Sequence, residues 1–172
     1  MHRLLLPLAA VCAAMCLAPA SALAKRYDVP ATMGDKLTAL VQETPVAVLL
    51  PQTLALDYDG ALYATNVVAG TKRWSVDLAG DPDCNGANAC TLAWLSAQQG
   101  ARHSNRIKVK LAGGRTGWYR ALSCGGSCSP GSIEFSRGGV LFEIQARVAQ
   151  KGKSEKALLV AAANSALASG PR

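Results

Sequence analysis

The sequence predicts an α+β fold: a single antiparallel sheet of about six to seven strands, with N- and C-terminal helices packed on one face. Several short segments alternate apolar and polar residues, as half-buried antiparallel strands do. Paired glycines between such segments are typical of hairpin turns. Helical periodicity is found near both ends of the chain that follows residue 24.

Residues 1–24 have the pattern of a secretory signal peptide. His2 and Arg3 precede the apolar run 4–17, and Ala22-Leu23-Ala24 matches an A-x-A cleavage site. The apolar run is shorter than the roughly 20 residues that a spanning helix needs. We therefore expect cleavage, no membrane span afterwards, and a single secreted α+β domain over residues 25–172.

The first elements are predicted by periodicity and by proline. Residues 25–32 are expected to be a loose leader. A helix is expected over 35–43, because Leu37, Leu40 and Val41 share one face and Pro45 follows. Residues 46–50 are expected to be a short apolar strand ending at Pro51. A turn at 57–60 then leads to a strand over 61–68.

Alternation predicts the next strands, over 72–79 and 105–111. Their apolar faces carry Trp74, Val76, Leu78, Ile107, Val109 and Leu111. Gly113-Gly114 is expected to join the second of these strands to one over 116–122. Gly138-Gly139 is expected to join strands over 132–136 and 140–148 in another hairpin.

The chain is predicted to end in a helix. Ser154 is a suitable N-cap, and Glu155 suits the positive end of the helix dipole. An apolar stripe follows at helical spacing, and Gly170-Pro171 is a typical C-terminal stop. The residues of this stripe are Leu159, Ala162, Ala163, Ala166 and Leu167.

Cleavage would remove two of the six cysteines and leave Cys84, Cys90, Cys124 and Cys128. Four cysteines allow three pairings. We expect the local disulfides 84–90 and 124–128, because glycine in each loop lets the chain fold back and export favours oxidation. A four-thiolate zinc site is the alternative, although the spacings differ from those usual in zinc sites.

The segment 81–86 matches the first half of a calcium-binding loop, with Asp81, Asp83 and Asn85 as ligands. A full loop needs a carboxylate at its twelfth position, where this chain has Leu92. We therefore expect a turn, with calcium as the alternative, and predict no metal and no cofactor.

Basic residues are concentrated in the middle of the chain. The net charge is +7, and no acidic residue lies between Asp83 and Glu134. Such a face would attract an anionic partner, and export indicates a cell-envelope polymer rather than nucleic acid. A solvated sheet face is the alternative. The candidate anion-binding residues are Arg106, Lys108, Lys110, Arg115 and Arg120.

Trp118 and Tyr119 are candidates for an aromatic platform that binds sugar or peptide, and Trp94 is a third aromatic candidate. Trp118 and Tyr119 are adjacent on a predicted strand, so one of them must point inward. The alternative is that these rings belong to the core.

The sequence predicts no catalytic residue. After the leader it contains one histidine, His103, and no nucleophile-elbow or metalloprotease motif. Asp57 and Asp59 could flank a sugar bond, but their setting is typical of a turn.

Three features are similar to those of small secreted bacterial proteins of unknown function. They are an apolar segment ending in Leu-Leu-Pro at 46–51, a cysteine loop N-G-A-x-A-C at 85–90, and a final hairpin and helix over 132–168. Where those proteins have Trp and Tyr in the last hairpin, this chain has Phe135 and Phe142. The resemblance implies the fold and export, and it implies no catalytic residues.

The expected function is that of a periplasmic or secreted, non-enzymatic domain that is envelope-associated or binds a ligand. Its partner would be an anionic envelope polymer or another envelope protein. One alternative is a chaperone- or inhibitor-like module that binds a protein through a sheet edge or groove. Another is a small hydrolase built from carboxylates such as Asp57, Asp59 or Glu143.

Overall fold

A seven-stranded antiparallel sheet forms the centre of the fold. The computed structural model describes residues 25–172, so the predicted signal peptide lies outside the described residues. The elements along the chain are β1 (Lys25–Asp28), α1 (Val29–Met33), α2 (Asp35–Glu43), β2 (Thr53–Leu56), β3 (Tyr63–Ala69), β4 (Arg73–Ala79), β5 (Thr91–Gln99), β6 (Ile107–Lys110), β7 (Thr116–Arg120), β8 (Ser123–Cys124), β9 (Cys128–Ser129), β10 (Ser132–Arg137), β11 (Val140–Ala146) and α3 (Glu155–Ser169).

The order of strands across the large sheet is β3-β4-β5-β11-β10-β7-β6. The predictions of a large antiparallel sheet and of a C-terminal helix are confirmed. Two further sheets of two strands each, β1-β2 and β8-β9, were not predicted. The fold is therefore mixed α and β, with one dominant sheet.

One face of the large sheet is apolar. A cross-strand row on this face contains Val76, Leu95, Ile144, Ile133, Tyr119 and Ile107, and the next row contains Trp74, Ala97, Phe142, Phe135, Gly117 and Val109. Helix α2 contacts β3, and α3 contacts β10 and β11. Leu40 of α2 and Leu159 of α3 belong to the same core cluster as Trp74 and Phe142. This burial supplies the main favourable free energy of folding.

Helix α3 can lie close to the sheet in its middle turns, because Ala162, Ala163 and Ala166 are buried there. Ala163 and Ala166 are fully buried. The Ser154 side chain caps the helix by accepting from the Ala157 N–H, as its sequence position predicts. Asn164 Oδ1 also accepts a hydrogen bond from the Ala112 N–H, which fixes the helix against the turn between β6 and β7.

Two predictions near the start of the chain are wrong. Residues 25–32 are not a loose leader, because β1 pairs with β2 and Asp28 caps α1 by accepting from the Ala31 N–H. Residues 46–50 are not a strand. This segment is held without a strand ladder, since Ala47 O accepts from Trp74 Nε1 and Val48 O accepts from the Arg172 N–H.

Strand β5 was not predicted, although it lies at the centre of the sheet between β4 and β11. Its sequence contains Ala93, Ala97, Gln98 and Gln99, which have less preference for strands than β-branched or aromatic residues. Pairing on both sides stabilises it in place of local propensity. This strand carries Trp94.

Candidate ligand groove

The sheet face opposite the apolar rows, here called the open face, is polar. Its first cross-strand row contains Asp77, Trp94, Gln145, Ser132 and Arg120. Its second row contains Ser75, Ser96, Glu143, Glu134, Trp118 and Lys108. Side chains alternate along each strand, so the same strands that form the core also present these two rows.

Two cavities lie against the open face and share Trp94 and Gln145, and the second also reaches Ile107 and Tyr119 at the β7–β6 edge of the sheet. The first has a volume of ≈ 430 Å³ and the second ≈ 710 Å³. We call the two cavities together the groove. The half-buried Trp94 lines both, and the size of each suits a small-molecule ligand.

The first cavity is bounded by two disulfide-linked loops. The Cys84–Cys90 loop contributes Gly86 and Asn88, and the segment after Cys124 contributes Cys128, Ser129 and Pro130. Each loop joins strands that are neighbours in the sheet. The disulfides therefore hold the rim of the groove, not the core.

Asp77 lies at the end of the first cavity and is buried. Its Oδ2 accepts a hydrogen bond of 2.9 Å from Asn66 Nδ2. Asn66 has φ 45° at a register shift in β3, a conformation that asparagine tolerates better than most residues. Gly86 packs over both side chains, and a Cβ there would lie 3.0 Å from Asn66 Nδ2.

Arg147 lines the first cavity beside Gln145. One of its guanidinium nitrogens donates to Asn88 O, which ties β11 to the Cys84–Cys90 loop. This cavity thus combines a carboxylate, a guanidinium, amide and hydroxyl groups around an indole. Such a set can orient a polar ligand while one of its flat faces stacks on Trp94.

Glu134 lies in the second row, is 3% exposed and is held by the loop that precedes β6. Its carboxylate accepts hydrogen bonds from the Ser104 N–H (2.9 Å), the Ser104 hydroxyl (2.8 Å) and the Asn105 N–H (2.8 Å). Three donors compensate for the loss of water around a buried charge. Glu134 therefore fixes this loop as the wall of the second cavity.

Glu143 is the direct cross-strand partner of Glu134 and lines the second cavity. Burial raises its pKa, and the charge of Glu134 adds to this, while the Ser132 hydroxyl bond and Arg120 act in the opposite direction. Ser132 is completely buried and also accepts from Asn105 Nδ2 (3.0 Å) and Arg120 Nε (3.4 Å). A polar network thus connects the two carboxyl groups.

The structure brings part of the predicted basic set to the groove. Arg106 and Arg120 line the second cavity, and Lys108 extends the second row at the edge strand β6. Lys110, which is also on β6, pairs with Thr116 of β7. Arg115 lies in the turn between these two strands. Arg106 and Arg120 are therefore the members of the set that line the groove.

Trp118 and Tyr119 do not form a joint platform, because they point to opposite faces of the sheet. Tyr119 is in the core, and its hydroxyl donates to Glu155 Oε2 at 2.7 Å. The Trp118 ring is stacked against His103, with ring centroids 3.8 Å apart and planes 10° apart. Trp94 lines both cavities of the groove, and Tyr119 also lines the second one.

The two local disulfides, Cys84–Cys90 and Cys124–Cys128, are present as predicted. Disulfides of this kind are typical of an oxidising compartment. Asp81 Oδ1 accepts from the Asp83 N–H, so this segment, which also contains Asn85, is a turn. Within residues 25–172, no group of three or more His, Cys, Asp or Glu side chains is placed to hold a metal ion.

The groove-lining carboxylates are Asp77 and Glu143, while Asp57 and Asp59 are exposed outside both cavities. The cross-strand pairing of Glu134 with Glu143 can be predicted from the sequence. A two-residue hairpin loop at Gly138-Gly139 places residues 134 and 143 opposite each other. Asp77, in contrast, lies on the predicted strand β4, but its cross-strand partner Trp94 lies on β5, which was not predicted.

Comparison of the chain with protein-family models, curated proteins and solved structures gives no match. Among the helices formed by residues 25–172, none is long and apolar enough to span a membrane.

Proposed function

We propose that this protein is an exported, non-enzymatic binding domain, periplasmic or secreted, that holds an extended envelope saccharide in the groove. The observation that carries the proposal is that Trp94 and Gln145 line both of two neighbouring cavities. A sugar ring offers an apolar face that stacks on indole and hydroxyl groups that bond to amide, carboxylate and guanidinium side chains.

The architecture supports this assignment. In the proposal, α2 and α3 are the layer that covers the apolar face, and the open face is left for a ligand. The Asp77, Gln145 and Arg147 side chains that line the first cavity provide partners for a hydrogen-bonding ligand. The signal-peptide pattern, the two disulfides and the resemblance to small secreted bacterial proteins support export.

The test is calorimetric titration of residues 25–172 with a neutral tetrasaccharide of β-linked N-acetylglucosamine and with the acidic tetrasaccharide of bacterial cell wall. We expect Trp94→Ala to weaken binding at least about tenfold, or about 1.4 kcal/mol. Tyr63→Ala is the matched control, because Tyr63 is an exposed aromatic residue that lines neither cavity of the groove. Equal binding by Trp94→Ala and the parent, or no binding by the parent, would contradict the proposal.

A further inference from the structure

The second cavity combines two arginines with one carboxyl group. Arg106 is exposed, Arg120 is half-buried, and both line the same cavity as Glu143. Two guanidinium groups attract an anion, whereas an ionised Glu143 would repel it. The charge state of Glu143 therefore decides which ligand this half of the groove accepts.

We propose that the second cavity is a subsite for a carboxylate-bearing sugar, and that Glu143 in its protonated form donates a hydrogen bond to the carboxylate of that sugar. Arg106 and Arg120 supply the positive charge. The inference rests on the proposed function, since it names the class of saccharide that the groove binds.

The hydrogen bonds around the two glutamates place the proton on Glu143. Directly opposed side chains in an antiparallel pair lie about 5 Å apart, so two ionised carboxylates there are unfavourable. Glu134 has three donors on its carboxylate and is closed off from the groove by the loop that supplies them. The carboxyl group of Glu143 has a hydrogen bond with the Ser132 hydroxyl, and it faces the second cavity. Protonation of Glu143 therefore gives up fewer hydrogen bonds to a carboxylate than protonation of Glu134 would.

The groups that face Glu143 come from each neighbouring element. Strand β10 contributes Glu134 and Ser132, β7 contributes Arg120, and β5 contributes the neutral Ser96. Arg106 enters from the loop before β6. Further out in the second row are Trp118, stacked with His103, and Lys108. Glu134 raises the pKa of Glu143, and Arg120 lowers it.

When the acidic sugar binds in this arrangement, the protein takes up one proton. The sugar carboxylate stays ionised between about pH 5 and pH 8, so the proton is taken from solvent by Glu143. Because the complex holds this proton more tightly than the free protein, affinity falls as pH rises through the pKa of Glu143 in the free protein. The limiting slope is roughly tenfold per pH unit for one proton.

The experiment repeats the two titrations at about pH 5 and about pH 8. We expect the acidic tetrasaccharide to bind at least about tenfold more tightly at the lower pH, and the neutral one to bind equally at both. Glu143→Gln, which mimics the neutral acid, should bind the acidic sugar with the same affinity at both pH values. Arg106→Gln should weaken binding of the acidic sugar alone, while Lys151→Gln, an exposed cation outside the groove, should change neither.

The outcomes separate the two proposals. If both sugars bind with equal affinity at both pH values, the acidic subsite is overturned and the binding function stands. If neither sugar binds, both are overturned. A pH dependence that persists in Glu143→Gln would assign the proton to another group and overturn the role of Glu143.

Discussion

Glu155 shows how one side chain can connect several segments. Its Oε2 accepts from the Tyr119 hydroxyl (2.7 Å) and the Leu122 N–H (3.1 Å), and its Oε1 accepts from the Gly131 N–H (3.0 Å). Burial and this bond to Glu155 raise the pKa of Tyr119 to about 12. A Cβ at Gly131 would overlap the carboxylate, so a larger residue there would displace the Glu155 side chain from this position. The first turn of α3 is thereby joined to β7 and to the start of β10.

We expect Glu155→Ala to lower the free energy of unfolding by about 2 to 3 kcal/mol, because it leaves three donors without their acceptor. Urea denaturation measures the change. Lys156→Ala is the matched control, since Lys156 is the exposed next residue and should cost less than about 0.5 kcal/mol. Equal losses in the two variants would show that the three bonds contribute nothing.

Some of the site could be predicted residue by residue. The local cysteine pairs followed from loop chemistry, and the opposition of Glu134 and Glu143 follows from a two-residue hairpin loop. The burial of Glu134 did not follow, because it depends on Ser104 and Asn105, which lie about 30 positions away and carry no motif. Contacts of that kind are set by tertiary packing.

At the scale of elements, periodic segments were predicted well and context-dependent ones were not. Helix α2 has the bounds predicted, and α3 begins just after its predicted cap. Strand β5 was missed because its own residues favour strands only weakly, and pairing on both sides determines its structure. The segment 46–50 has the opposite character: its residues favour a strand, but Trp74 and Arg172 bind its carbonyls.

The close packing of α3 gives a prediction for this element. Ala163→Leu should lower the free energy of unfolding by about 1 to 3 kcal/mol, because the added carbons have no space between helix and sheet. Ala161→Leu makes the same change on the exposed side and should stay within about 0.5 kcal/mol of the parent. Thermal or urea unfolding compares the two, and a similar change in both would contradict close packing at Ala163.

For the whole molecule, the two faces of the sheet have separate roles. The apolar rows belong to a core cluster that also contains residues of α2 and α3, and the polar rows supply much of the lining of the two cavities. The disulfides belong to the second role, since both lie in loops at the rim. The sequence predicted the disulfides and the dominant sheet, but it could not predict that they meet at one cavity.

Replacing Cys84 and Cys90 by Ser should therefore lower the free energy of unfolding by about 2 kcal/mol, as expected for a short loop, without loss of the sheet. Far-UV circular dichroism should be unchanged, while saccharide binding weakens because Gly86 and Asn88 lose their fixed positions. Replacement of Cys124 and Cys128 by Ser should weaken binding as well, because Cys128 and Ser129 line the same cavity. Collapse of the secondary structure in the first variant would place that disulfide in the scaffold.

The rim loops join strands that are already neighbours, and the register of those strands is set by pairing and by the core. We therefore expect that loops of other lengths and sequences can be grafted between Gly80 and Thr91, or between Leu122 and Gly131, which keeps the two N–H groups that bind Glu155. The fold is in this sense a display scaffold, in which recognition can be diversified by library selection at two closed loops while the seven strands remain constant.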